Sequence, residues 1–174
     1  MLRFGTISEV NAAKGLVRVR FEEDDIVSDW LPMVQSGTLK NKAYALPDEN
    51  EHVACLMDEH AENGVVVGCL YNSTDTPGYS SRDKVGVKFE NGDEIVYDRA
   101  ARAYLVKTDT TELKISENGP TLKKGGESLK EILIDLLTQI MSETHNTGVG
   151  PTSPPINLAE YTAIKDRISA FFEA

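Results

Sequence analysis

Apolar and polar residues change their rhythm twice along this chain, and each rhythm predicts a different kind of element. From Leu2 to Tyr71 the period is two. RFGTISEVN alternates, and a turn follows at Ala12–Gly15. LVRVRF then puts Val17, Val19 and Phe21 on one face and Leu16, Arg18 and Arg20 on the other, which predicts a hairpin. WLPMV, Trp30 to Val34, predicts a further short strand. Pro32 marks it as an edge or bulge, since proline has no N–H for a ladder. Ser36–Glu51 reads as loop. HVACLM (His52–Met57) and GVVVGCLY (Gly64–Tyr71) are expected to pair across DEHAEN, and neither is long enough to cross a membrane. Short antiparallel strands with no helix between them suggest a small closed or partly open barrel such as an OB-fold.

After the polar stretch Asn72–Asp83 the alternation resumes in thinner form. KVGVKFENGDEIVYD holds two strands around Asn91-Gly92, a strong hairpin signal. Val85, Val87 and Phe89 share one face, as do Ile95 and Tyr97. AYLVKT (Ala103–Thr108) and TELKIS (Thr111–Ser116) add Leu113 and Ile115. A meander with so little apolar surface is marginal alone, so it is expected to pack on something, and copies of itself would serve.

The third rhythm is helical. Ser128 and Glu131 form a capping box ahead of an apolar run. Leu129, Ile132, Leu133, Leu136, Leu137, Ile140 and Met141 recur at three- and four-residue steps, and Ile134 lies off that stripe. After a Gly/Pro loop, Asn157 and Glu160 predict a second capped start. Leu158, Tyr161, Ile164, Ile168, Phe171 and Phe172 carry the second helix. The expected divisions are a barrel over 1–72, a linker over 73–83, a short β shaft over 84–123 and a helical hairpin over 124–174. Two of the three parts look too small to stand alone, which points to a homo-oligomer.

Charge narrows the function. The 174 residues include 28 acidic and 18 basic ones, for a net charge of −10. Nucleic-acid binding draws its affinity from cations on phosphates, so no nucleic-acid partner is expected. Glu22–Asp25 lacks the spacing of a calcium loop and reads as a solvated turn. Cys55 and Cys69 sit in apolar runs and are expected as buried free thiols. No basic-then-apolar leader is read at the start. No phosphate loop, nucleophile pattern or zinc spacing supports an enzyme or a cofactor. A metal set of His52, Cys55 and His60 fails because residues three apart on a strand face opposite ways.

In order and spacing, residues 5 to 98 resemble the baseplate assembly protein V or tail-spike family of contractile-tailed phages and related contractile injection systems. The matching stretches are GTISEVNAAKGLVRVRF, the Asp29–Pro32 segment, LPDENEHVACLM, VVVGCLYNSTDTP and VKFENGDEIVYD. Asn50 replaces the usual glycine of the third. The resemblance implies a mainly β homotrimer. Three N-terminal OB-folds would form a collar at the end of the tail tube. Three meanders would intertwine into a short β-helix or β-prism shaft, followed here by the helical hairpin. It implies contact with baseplate hub or tail tube proteins and transient contact with a target cell envelope. It also implies assembly in the producing cell's cytoplasm before incorporation into the particle. The expected trimer interface comprises Val87, Phe89, Ile95, Tyr97, Leu113, Ile115, Leu133, Leu136, Leu137 and Ile140. Longer family members end in a His-x-His motif that binds iron. Here His145 stands alone and is a weak metal candidate, so a separate tip protein is a further expected partner. The alternatives are an OB-fold adaptor whose helices dock on a partner, and a single-stranded nucleic-acid binder.

Overall fold

The computed structural model, which describes residues 1–59 and 63–172, is mainly β, with more than twice as many residues in strands as in helices, and the two helices come late in the chain. Two compact units divide at Pro77/Gly78.

The first unit contains β1 (Leu2–Asn11), β2 (Leu16–Phe21), β3 (Ile26–Val27), β4 (Leu31–Pro32), β5 (His52–Met57) and β6 (Gly64–Cys69). The antiparallel order is β3-β2-β1-β5-β6, with β4 also on β2. β1 serves two neighbours. Leu2–Thr6 pair with β5, and Thr6–Asn11 pair with β2. The changeover needs a close approach at Gly5, where a Cβ would lie 2.5 Å from the Arg20 carbonyl oxygen. A bulge between Ile7 and Glu9 adds to the bend. Met33 pairs in parallel with Val66, and the Val34 N–H donates to the Val66 carbonyl at 2.9 Å. The pairings therefore run in a ring, from β4 through β2, β1, β5 and β6 back to Met33.

The residues inside follow the alternation. Ile7, Val17, Val19, Phe21, Leu31, Val53, Cys55, Met57 and Val66 form one buried cluster. The Arg3 guanidinium lies 4.2 Å from the Phe21 ring centroid and pairs with Asp24. The acidic turn is thus more than a solvated run, because one of its carboxylates holds a buried cation. WLPMV gives only β4 and the Met33 bridge, in keeping with Pro32 at its middle.

The second unit is a meander followed by helices. Its strands are β7 (Lys84–Lys88), β8 (Glu94–Asp98), β9 (Ala103–Lys107), β10 (Thr111–Ser116), β11 (Gly119–Lys124) and β12 (Glu127–Ser128). They pair in strict sequence order, each antiparallel to the next. β11 and β12 were not expected from the sequence, where the shaft strands end near Ser116. The Asn91-Gly92 turn is wider than a two-residue hairpin: the Phe89 N–H donates to the Asp93 carbonyl at 2.8 Å, and Gly92 takes φ 87°. Part of the expected linker belongs to this unit. The Tyr79 hydroxyl donates to Glu94 Oε2 at 3.0 Å, and Lys84 Nζ lies 5.5 Å from the Tyr79 ring centroid.

α1 (Leu129–Ser142) starts at the expected capping box. The Glu131 N–H donates to Ser128 Oγ at 3.2 Å, and the Ser128 N–H donates to Glu131 Oε2 at 3.1 Å. α2 (Leu158–Phe171) has Asn157 at its N-cap without a side-chain capping bond, so the second expected box is not formed. The Gly/Pro loop folds into a small hairpin, β13 (Asn146–Thr147) with β14 (Gly150–Pro151). α1 and α2 pack on each other and on β11, and Lys165 Nζ donates to Thr138 Oγ1 at 2.9 Å.

Ser128→Ala should destabilise the second unit by about 1 kcal/mol, seen as a lower midpoint in thermal or denaturant melting. Acid should act on the same joint. The bonds from Ser128 hold the Glu131 carboxyl below its ordinary value of 4.5. The folded form gains stability above the ordinary value and loses it as pH falls through the depressed one. Helical circular dichroism should therefore weaken below about pH 4 in the wild type, and less so in Glu131→Gln.

Candidate self-association interface

Register in the second sheet sorts its side chains into clean rows, because directly opposed residues share a face. One row runs Val87, Ile95, Val106, Leu113, Leu122 across β7 to β11. Another runs Val85, Tyr97, Tyr104, Ile115, Pro120. Both lie on the same face, and neither contains a charge. No register shift interrupts them. Phe89, two residues beyond Val87, continues the same face by alternation.

This face is uncovered within the chain. Tyr104 is 60 % exposed and Ile115 50 %, and Val85, Val87, Phe89, Ile95, Val106, Leu113 and Leu122 are exposed as well. Tyr97 is half-buried and stacks on Tyr104 with centroids 4.5 Å apart. By contrast, Val96 and Ala103 are the only fully buried apolar side chains among the described residues of this unit. Covering the rest of a half-exposed side chain of this size is worth roughly 1 kcal/mol. A patch of nine such side chains per chain is large enough to offset the several kcal/mol that association costs.

The opposite face is charged in an ordered way. Lys88, Glu94, Lys107, Glu112 and Lys123 oppose one another in turn across five strands. Opposite charges at facing positions favour this register over its neighbours.

Of the residues expected at an interface, Val87, Phe89, Ile95, Tyr97, Leu113 and Ile115 share the apolar face. Val85, Tyr104, Val106 and Leu122 belong to it and were missed. The first is readable from the alternation of KVGVKF and the next two from that of AYLVKT, whereas Leu122 lies in the unforeseen β11. On α1, Leu136 is exposed, but Leu133, Leu137 and Ile140 are half-buried within the chain. The exposed stripe of α1 is Leu129, Ile132 and Leu136. Ile134 lines a cleft with Lys114, Thr121 and Phe172, which accounts for its position off the stripe.

No metal centre emerges among the described residues. His145 is exposed, with Nε2 3.5 Å from Glu143 Oε1. His52 stacks on Phe4 while Cys55 lies in the core, and His60 falls outside the described residues. Trp30 is at the surface, 5.9 Å from the Arg18 guanidinium, which is itself tied to Glu9.

Cys69 is exposed, contrary to expectation, and Cys55 is buried. Burial pushes the Cys55 thiol up to about 11, against the opposing pull of Arg3. Lost solvation and then the neighbouring Glu51 carboxylate push Cys69 up to about 11. A thiol raised in this way adds stability that is complete below the ordinary value of 9.0 and is lost as pH climbs through the folded value. Melting midpoints should accordingly fall between about pH 9 and 11. A maleimide reagent at pH 7 should modify Cys69 slowly and leave Cys55 untouched until the first unit unfolds. What the apolar face is for has to be argued from the chain itself, which matches no family model and no curated protein.

Proposed function

We propose that the protein is a homotrimeric central spike at the end of a contractile tail tube, which helps to puncture a target cell envelope. The observation that carries this reading is the pair of uncharged apolar rows, uncovered across the six-stranded meander. Three copies that turn these rows toward a common axis give each chain the core it lacks alone. The resulting shaft acts mechanically. It does no chemistry; its resistance to unfolding comes from many ladder bonds and a dry interior that must fail together.

The first unit fits the collar of such a spike. Its first strand pairs with both the second and the penultimate strand, and the segment at Met33 runs parallel to the last. That order supports the OB-fold reading of this unit. The collar would meet baseplate hub or tail tube proteins, and a separate tip protein would complete a shaft that ends in helices. The family resemblance of residues 5 to 98 points the same way.

Light scattering on the purified protein should give the mass of three chains, retained on mild heating in detergent. A monomer at micromolar concentration would refute the spike. Ile115→Asp should abolish the trimer, because it puts three carboxylates into an interior without cations. The monomer it releases should still be folded, since Ile115 is exposed in the single chain.

A further inference from the structure

The apolar face does not stop at the edge of the sheet. Leu122, at the end of its row on β11, lines one cleft of about 270 Å³ together with Leu129 and Ile132 of α1. Ile132 is 49 % exposed and Leu136, one turn further on, 54 %. Leu129, Ile132 and Leu136 are spaced by three and four residues and so share one side of α1. The row of the sheet and the stripe of the helix thus meet in one cleft, which Lys123, Lys124 and Glu127 also line.

Resting on the spike reading, we infer that this stripe of α1 is occupied by a second copy of the same chain, so that the three α1 helices clamp the end of the shaft. Two features select a second copy over a foreign partner. The stripe is continuous with the rows through which copies meet, so a foreign partner would have to begin where that contact ends. Charge selects as well. Each chain carries −10, and copies repel wherever charged faces approach. The rows and the stripe themselves carry no formal charge, and at the join Lys124 directly opposes Glu127, so copies approach there without that penalty. α2 offers no equal: its exposed Leu158, Ile164 and Phe171 stand six and seven residues apart and not on successive turns.

The full-length protein with Ile132→Asp and Leu136→Asp tests the clamp, read by light scattering over a dilution series beside the wild type. Both side chains are half-exposed in the single chain, so the helix signal in circular dichroism should be kept. Dissociation at roughly a hundredfold higher protein concentration than the wild type is the expected result. Should the double Asp variant lose helix, Ile132→Gln with Leu136→Gln repeats the reading without charge or loss of helix propensity. A variant that stays trimeric to the same dilution as a trimeric wild type overturns the clamp and leaves the spike standing. A wild type that is monomeric throughout overturns both. Ile164→Asp on α2 should leave the trimer intact; if it alone dissociates the trimer, α2 and not α1 is the clamp.

Discussion

A sheet with one apolar face must bury that face, and the second half of this chain does not do so by itself. The first unit obeys the rule internally, because its sheet bends round until Met33 meets Val66 and nine apolar side chains close on one another. The second sheet has no such return. Its rows of valine, isoleucine, leucine and tyrosine face outward, and the helices cover only the β11 end. The two halves of one chain thus meet the same problem differently, one by curvature and, on the proposed reading, one by association.

The difference traces to particular residues. Gly5 and the bulge after Ile7 let β1 leave one neighbour and join another. β7 to β11 have no bulge at all, and their register holds from Lys88 to Lys123. Regular pairing keeps most of the large apolar residues on one side and the row of lysines and glutamates on the other, with Val96 and Leu105 the large apolar residues of the charged side. Two-faced order of this kind suits a surface made to meet others of its kind better than it suits an isolated domain.

Much of this was legible in the sequence, for a physical reason. Strand alternation is local, so Val17, Val19 and Phe21, or Val85 and Val87, declare their face within a few residues. The Ser128–Glu131 capping box is equally local. β11 escaped because Gly119-Pro120 reads as a break, and because Leu122 is its lone large apolar side chain. Asn157 has the right residue type for a cap but ψ 33° instead of an extended approach, which composition does not reveal. The charge row from Lys88 to Lys123 depends on four separate registers, each set by its own turn, and becomes visible only when all are known. On α1 the sequence shows an apolar circumference but not which part the rest of the chain covers.

Every pairing in the second sheet joins strands adjacent in the chain. Contacts of such short sequence separation form quickly, since little loop entropy is lost in making them. The sheet can therefore zip up while the chain is still alone, with its register proofread by lysine facing glutamate. In the proposed trimer, meeting other copies is then a slower step whose rate rises with concentration. Between the two lies a window in which a finished but uncovered face is open to any greasy surface, and speed of encounter becomes the limiting virtue of the design.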